Sequence, residues 1–141
     1  MLKVDNIDVS YGDVQVLFDV SLDIKAGELV AVIGANGAGK TTLLRTISGI
    51  LTPQKGSIKF EDKVISTQPP NKTVAAGIIQ VPEGRLLFPH MTVRENLKMG
   101  AYLTNNKETV NERLEMVNEM FPRLKEREKQ LAGTLSGGEQ Q

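Results

Sequence analysis

An apolar run that ends directly in a glycine-rich loop constrains this chain more than any other feature. Residues 29–33 are apolar without interruption, and residues 34–41 then read Gly-Ala-Asn-Gly-Ala-Gly-Lys-Thr. The apolar run predicts a strand buried on both faces, as in a parallel sheet flanked by helices. Apolar residues with helical spacing follow up to Ile47, and Gly49 is a suitable stop for that helix. We therefore expect strand, loop and helix in succession.

The loop over residues 34–41 matches the pattern G-x-x-x-x-G-K-[ST]. Its glycines let the backbone turn tightly, so that successive N–H groups point inward at phosphate oxygens. Lys40 supplies a positive charge for the β- and γ-phosphates, and the Thr41 hydroxyl is a hard oxygen ligand for Mg²⁺. The alternative is a glycine-rich turn that matches by accident. The position of this loop between a predicted strand and a predicted helix favours nucleotide binding, because the helix N-terminus also attracts the anion.

A second turn of similar chemistry lies at residues 135–141, which read Leu-Ser-Gly-Gly-Glu-Gln-Gln. Ser136 and Glu139 have the spacing of a capping box, which predicts the start of a helix. A hydroxyl and glycine N–H groups at this position could face a second anion. The alternative, taken on this turn alone, is an ordinary helix cap with two flexible glycines.

The rest of the chain divides into a strand-rich first part and a helical second part. Alternating apolar residues predict strands over residues 2–10 and 16–24, and shorter runs predict strands over residues 56–60 and 78–81, with a loop at Pro69-Pro70. Thr92 and Glu95 again have capping-box spacing before an apolar helix face. Apolar residues from 110 to 121 share one face of a further helix, which Pro122 ends, and a short helix is expected before Gly133.

Composition excludes several classes of function. The chain of 141 residues has no cysteine and one histidine, so it holds neither a disulfide framework nor a Cys- or His-rich metal site. Lys and Arg balance Asp and Glu at 17 each, which does not indicate a basic surface for nucleic acid. No apolar run approaches the roughly 20 residues of a membrane span, and the first residues do not resemble a signal peptide. These features predict a soluble, cytosolic protein.

With both turns considered together, the whole chain resembles the ATP-binding subunit of an ABC transporter. Residues 34–42 resemble the Walker A motif of that family, and residues 135–141 resemble its signature sequence. The resemblance implies an α/β P-loop NTPase of ABC type, with a mixed or parallel sheet, antiparallel N-terminal strands and an α-helical subdomain. It implies a nucleotide-binding core over residues 1–84, a helical subdomain over residues 85–135, and a signature turn over residues 136–141 that opens a truncated helix.

The resemblance also implies the ligands, ATP and Mg²⁺, and the residues that contact them. Tyr11 lies where the family places an aromatic ring that stacks on adenine, with simple strand packing as the alternative, and Val16 lies where an apolar residue assists. The implied cis contacts with ATP are Tyr11, Val16, Gly34, Ala35, Asn36, Gly37, Ala38, Gly39, Lys40, Thr41 and Thr42. The implied contacts with ATP on a partner subunit are Leu135, Ser136, Gly137, Gly138, Glu139 and Gln140.

Residues 81–97 resemble the Q-loop of the family and the start of its helical subdomain. Glu83 occupies the position of the usual glutamine, so Thr41 and Glu83 are the implied metal ligands. A carboxylate can bind a metal ion, but its negative charge changes the site. The sequence Val-Pro-Glu-Gly-Arg is similar to the ATP-binding subunits of branched-chain amino acid importers, which implies amino-acid transport.

The catalytic carboxylates of the family are not found among these residues. Its Walker B motif is an apolar run followed by Asp and the catalytic Glu, and no Asp follows Asp62. The chain therefore reads as the N-terminal part of a longer domain that binds nucleotide, and we expect no complete catalytic set and no hydrolysis by the 141 residues alone. Because the predicted strand at residues 29–33 would lack neighbours, we expect this fragment to aggregate, swap or be held in an oligomer.

For the intact protein, the resemblance implies a pair of ATP-binding subunits, identical or different, docked on transmembrane permease subunits at the inner face of the cell membrane. No nucleic-acid partner is expected. Two other hypotheses stay open on the sequence. One is an ABC ATPase that serves a machine other than a transporter, and the other is a nucleotide-binding module without catalysis.

Overall fold

The sheet is built around its first strand. The computed structural model describes residues 1–141, which form two compact units, Met1–Gln80 and Val81–Gln141. In the first unit, β1 (Leu2–Tyr11) pairs antiparallel with β2 (Val14–Ile24) on one side and with β3 (Lys55–Phe60) on the other. The two-residue β4 (Lys63–Val64) extends the sheet beyond β3, which gives the order β2-β1-β3-β4. The predicted strands over residues 2–10, 16–24 and 56–60 are confirmed.

A β-bulge explains the irregular apolar spacing of β1. Val4 and Ile7 are both fully buried although three positions separate them, and strict alternation would put them on opposite faces. The pairing register shifts between these two residues, and Asn6 has a φ of 47°. An extra residue at this point returns the apolar side chains to the core face. Gly56 of β3 crosses the bulge so closely that a Cβ there would overlap the carbonyl oxygens of Asp5 and Asn6.

The core of the first unit lies between one face of the sheet and a helix that follows the glycine-rich loop. Helix α1 (Lys40–Ile47) presents apolar residues on its buried face, and α2 (Pro70–Ala75) is shorter. Gly49 has a φ of 79° and donates its N–H to the carbonyl of Thr46, which confirms it as the stop of α1. The buried apolar cluster consists of Val4, Ile7, Val9, Leu17, Leu43, Ile47, Ile58 and Ile65.

Three of the predicted elements of this unit are corrected. Residues 29–33 form no strand and pair with none, and Leu29 is 99% exposed. Residues 78–81 likewise form no strand. A strand buried on both faces needs partners along both edges, and no other segment of residues 1–141 supplies the backbone hydrogen bonds. No parallel pairing forms for the same reason. Pro70 lies in the first turn of α2 rather than in a loop, because proline fits that position.

The second unit is helical, as predicted. Helices α3 (Val93–Gly100) and α4 (Lys107–Met120) are followed by the short α5 (Pro122–Glu126), a 3-10 helix (Ala132–Thr134) and α6 (Gly137–Gln140). The capping box at the start of α3 is formed, since Thr92 and Glu95 exchange hydrogen bonds. Pro122 begins α5 directly after the break that ends α4, which confirms it as the breaker. None of these helices combines the length and apolar content of a membrane span.

Candidate functional site

The glycine-rich loop before α1 is held open by two left-handed residues. Gly37 has a φ of 85° and Gly39 has a φ of 89°, a region that other residues rarely adopt. Between them the N–H of Ala38 donates to the carbonyl of Ala35 at 3.2 Å, which closes a tight turn. A Cβ on Gly37 would meet no atom within 4 Å, so the space beside this residue is open. The loop therefore makes the tight turn that its glycines predict.

Lys40 bridges the two ends of this loop. Its Nζ donates to the carbonyl oxygens of Gly34 at 2.9 Å and of Ala35 at 2.8 Å. An ammonium group has three donors, so one remains for a ligand. Both present bonds are to neutral carbonyls, which an anionic phosphate oxygen would replace with a stronger, charge-assisted bond. The positive charge of Lys40 therefore lies next to the first two residues of the loop.

Backbone donors of the loop fit an anion. The N–H groups of Gly37, Gly39, Lys40 and Thr41 donate to no carbonyl of the chain. Free donors at a helix start are usual, and here the preceding glycine turn adds further free donors next to them. Oxygen atoms of a polyphosphate would satisfy these donors together. This is the fit that a nucleotide phosphate chain requires.

Tyr11 and Val16 lie beside the start of α1, where the sequence predicts the nucleotide base. The Tyr11 hydroxyl accepts a bond from the Arg45 guanidinium at 3.5 Å, while 42% of the residue stays exposed. The Thr42 hydroxyl, and after it the Arg45 guanidinium, lower the pKa of Tyr11 from its ordinary value. Val16 is half-buried, and its Cγ1 would lie 3.6 Å from a Cβ on Gly39. The first unit therefore places Val16 at the last glycine of the loop and Tyr11 beside the first turns of α1.

The signature turn is tied by one carboxylate. Glu139 Oε2 accepts from the Ser136 N–H at 2.9 Å and from the Ser136 hydroxyl at 2.7 Å. These bonds, the hydroxyl first and the N–H second, lower the pKa of Glu139 from its ordinary value. The Gln140 side-chain Nε2 donates a hydrogen bond to the carbonyl of Leu135 at 2.9 Å. A Cβ on Gly138 would meet no atom within 4 Å, so the surface of this residue is open to another molecule.

The candidate metal ligands lie in different units. Thr41 is half-buried at the start of α1 in the first unit, and Glu83 is exposed in a turn of the second unit. No group of three His, Cys, Asp or Glu side chains forms a metal site in the chain. Hydroxyl and phosphate oxygens are suitable ligands for Mg²⁺. The residues of the loop therefore fit a magnesium ion that arrives together with a polyphosphate.

Sequence reasoning missed two arginines. Arg45 reaches Tyr11 from one turn beyond the loop, and helical spacing from Thr41 could have indicated that it shares this face. Arg85 lies against Gly137 of the signature turn, where a Cβ would be 2.6 Å from its Nη2. No spacing rule indicates the second contact, because 52 positions separate Arg85 and Gly137 in the sequence.

Comparison with known protein sequences is consistent with this site. A family model described as ABC transporter matches residues 17–141. The high-affinity branched-chain amino acid transport ATP-binding protein BraG of Pseudomonas aeruginosa is 48% identical over 141 residues, which are 100% of this chain and 60% of that protein. The probable branched-chain amino acid transport ATP-binding protein LivF of Archaeoglobus fulgidus is 40% identical, with 100% of this chain and 59% of that protein covered. The chain thus spans about three fifths of these relatives.

Solved structures confirm the fold class. An ATP-binding subunit of an ABC transporter matches 99% of this chain and 58% of its own length, with a TM-score of 0.82 and 29% identity. A nucleotide-free ATP-binding cassette from an ABC transporter matches 99% of this chain and 60% of its own length, with a TM-score of 0.77 and 28% identity. The antiparallel strands and the helical second part are therefore arranged within each unit as in such cassettes.

Proposed function

Since the chain belongs to the ABC transporter family, we propose that it is the ATP-binding part of an importer subunit, which couples ATP binding and hydrolysis to transport. The observation that carries this proposal is the loop over residues 34–41, which combines backbone N–H groups that have no carbonyl partner with the Lys40 ammonium, held on the carbonyl oxygens of Gly34 and Ala35. That arrangement suits a nucleotide triphosphate better than a single phosphate, because the donors extend over several residues. The 48% sequence identity to BraG, which extends over the whole chain, supports the same proposal.

Each residue around the loop has a proposed part in holding MgATP. The N–H groups of residues 37–41 cradle the β- and γ-phosphates, and Lys40 exchanges its carbonyl partners for phosphate oxygens. Thr41 gives its hydroxyl oxygen to Mg²⁺, with Glu83 as a second proposed ligand. Tyr11 stacks on the adenine ring, and Val16 packs beside it. When bound, Mg²⁺ neutralises phosphate charge and fixes the phosphate geometry.

The signature turn has its proposed part in a second copy of the site. Ser136 and Gly138 would face the γ-phosphate of ATP bound to a partner subunit, so that two subunits enclose the nucleotide between them. Loss of the γ-phosphate on hydrolysis would then open the pair, as in other phosphate-dependent switches. The division into a core (1–84), a helical subdomain (85–135) and a signature turn (136–141) belongs to this proposal.

Branched-chain amino acids are the proposed cargo. Support comes from the two relatives at 48% and 40% identity, whose names specify branched-chain amino acid transport. A transmembrane permease would carry the cargo, and the ATP-binding subunit would lie against it at the inner face of the membrane. The catalytic carboxylates of the family are absent from residues 1–141, so for these residues alone we propose nucleotide binding without turnover.

Calorimetric titration with MgATP tests the binding site. The wild-type chain is compared with Lys40→Ala and with Lys72→Ala, since Lys72 is an exposed lysine of α2 outside the loop. We expect Lys40→Ala to weaken binding by about 1.5–3 kcal/mol, the range for a hydrogen bond to a charged group. Lys72→Ala should bind as the wild type does. Equal affinity of Lys40→Ala and wild type would contradict the proposed site.

Transport requires a separate experiment. The intact protein is expressed with a permease encoded beside it, and uptake of labelled leucine is compared with uptake of spermidine in membrane vesicles. We expect MgATP-dependent uptake of leucine that is lost in Lys40→Ala. If the intact protein instead purifies without any permease and associates with ribosomes or DNA, this result would support an ABC ATPase of a machine other than a transporter.

A further inference from the structure

Arg85 places a positive charge directly on the signature turn. A Cβ on Gly137 would lie 2.6 Å from Arg85 Nη2, 2.7 Å from Cζ and 2.8 Å from Nη1. All three atoms belong to the guanidinium, so this group covers the Cα of Gly137. Gly137 has no positive φ, so a side chain at this position would meet the Arg85 guanidinium and not a backbone restriction.

The backbone at Arg85 makes a tight turn. Gly84 has a φ of 83° and Arg85 has a φ of 51°, so two successive residues are left-handed. The N–H of Leu87 donates to the carbonyl of Arg85 at 2.7 Å, which closes the turn. Residues of this turn line a cleft of about 110 Å³ together with Gln140 and Gln141. The turn around Arg85 and the end of the signature turn therefore form one continuous surface.

The donors of Arg85 are free, whereas those of its neighbours are used. Both the N–H and the hydroxyl of Ser136 donate to Glu139, and Arg127 pairs with the same carboxylate at 3.4 Å. The five ion pairs of the chain do not include Arg85, which is exposed. Arg85 is thus the unpaired charged donor on this turn.

We propose that Arg85 binds the γ-phosphate of ATP held by a partner subunit. This inference rests on the proposed function, because it requires the signature turn to face that nucleotide. A planar guanidinium can donate two parallel hydrogen bonds to phosphate oxygens. Arg85 supplies this contact at once, while the Ser136 hydroxyl must first leave Glu139. The second unit therefore recognises a triphosphate by charge as well as by its serine and glycine.

The test measures association of two copies of the intact protein in the presence of Mg²⁺ and a non-hydrolysable ATP analogue. Sedimentation velocity compares wild type with Arg85→Ala, Arg85→Gln and Arg85→Lys. Arg113→Ala is the matched control, since Arg113 is an exposed arginine of α4 that forms no ion pair. Calorimetry with MgATP on each dilute variant measures binding to the Walker A loop separately, and circular dichroism reports folding.

We expect Arg85→Ala and Arg85→Gln to weaken nucleotide-driven association by about 10- to 100-fold, as for loss of a charge-assisted bond. Arg85→Lys should retain part of the association, because it keeps the charge but not the planar fork. Affinity of the dilute variants for MgATP should stay at the wild-type value, and Arg113→Ala should associate normally. ADP should promote no association that depends on Arg85.

Two failures can be distinguished. A wild-type protein that binds no MgATP, or binds it without associating, overturns the proposed function and this inference with it. A wild-type protein that associates no more tightly than Arg85→Ala and Arg85→Gln overturns only the role of Arg85. If Arg85→Ala loses its fold, the folded Arg85→Lys and Arg85→Gln still decide, because a purely structural role would make ATP and ADP states change equally.

Discussion

Gly39 and Leu17 are in such close contact that a Cβ on Gly39 would lie 2.6 Å from Leu17 Cδ2. Leu17 is 5% exposed and belongs to the core of the first unit. The last glycine of the loop, which is the N-cap of α1, therefore packs against the β1–β2 hairpin. Gly39 is constrained twice, by its φ of 89° and by this packing.

The first prediction separates these two constraints. Gly39→Ala should destabilise the chain by about 2–5 kcal/mol, since left-handed strain costs about 1–2 kcal/mol and overpacking adds about 1–3 kcal/mol. Gly37→Ala is the matched control, because Gly37 has a similar φ of 85° and a Cβ there would meet no atom within 4 Å. It should show only the strain. Urea unfolding measures both variants.

The packing explanation would be wrong if the two alanine variants unfolded at the same urea concentration. A smaller residue at the contact provides a further check. Leu17→Ala opens space beside Gly39, so combining it with Gly39→Ala should cost less than the sum of the two single changes. Additive costs would contradict a direct contact between the two positions.

The second prediction decides whether Tyr11 stacks on adenine or only packs on its strand. Tyr11→Ala should weaken MgATP binding by about 1–3 kcal/mol, the range for stacking of a base on an aromatic ring. Tyr11→Phe keeps the ring and should bind nearly as wild type does. Calorimetry with magnesium tripolyphosphate is the control, because that ligand has the phosphates but no base. Its affinity should be the same for all three proteins.

Equal losses of ATP and tripolyphosphate affinity in Tyr11→Ala would instead support strand packing that shapes the loop indirectly. The environment of the Tyr11 hydroxyl is tested separately through its pKa. Thr42→Val should raise the pKa of Tyr11 more than Arg45→Met does, because the Thr42 hydroxyl is the larger cause of its lowering. Ultraviolet titration of phenolate formation measures this difference.

Elements that short-range rules determine could be predicted from the sequence. The phosphate loop and α1, the capping box of Thr92 with Glu95, and the glycine stop at Gly49 all form within a few residues of one another. Hydrogen bonds over such short separations depend on local residue types. The strands were also predictable, since apolar residues alternate along most of each one and the break in the alternation of β1 lies at the bulge next to Asn6.

Long-range features could not be predicted in the same way. Residues 29–33 have the composition of a buried strand, yet a strand also needs partners, and composition says nothing of their presence. The contact between Arg85 and Gly137 depends on how two distant turns pack. Neither hydropathy nor spacing contains that information, so the charge on the signature turn emerged only from the structure.

The third prediction concerns the stability of α3 in acid. The backbone N–H of Thr92, and after it the Thr92 hydroxyl, lower the pKa of Glu95 from its ordinary value. Since the native pKa lies below the unfolded value of about 4.3, ionised Glu95 stabilises α3 above that pH. This contribution should disappear as the pH falls through the native pKa. Carbon NMR titration of the carboxyl and hydrogen exchange of α3 amides measure the two effects.

Two variants test the cause of this pH dependence. Glu95→Gln should remove the pH-dependent loss of α3 stability in the window below about 4.3. Thr92→Val removes the hydroxyl but keeps the backbone N–H, so the pKa of Glu95 should stay lowered in part. A Glu95 pKa at its ordinary value in the wild type would contradict the bonds of 2.8 Å that join Glu95 to the N–H and hydroxyl of Thr92.

The fourth prediction follows from the apolar run before the loop. Leu29 is 99% exposed and Ile33 is 90% exposed, and the backbone between them has no strand partner. Exposed apolar segments with free backbone groups pair with other chains, and charged side chains prevent such pairing. We expect the wild-type chain to self-associate without nucleotide and the double variant Leu29→Lys, Ile33→Lys to shift toward monomer mass in light scattering.

The control is the double variant Met116→Lys, Met120→Lys on α4, which adds the same charge at exposed apolar residues whose backbone is already helical. It should self-associate as the wild type does, and equal loss in both variants would show that net charge, rather than the unpaired run, governs association.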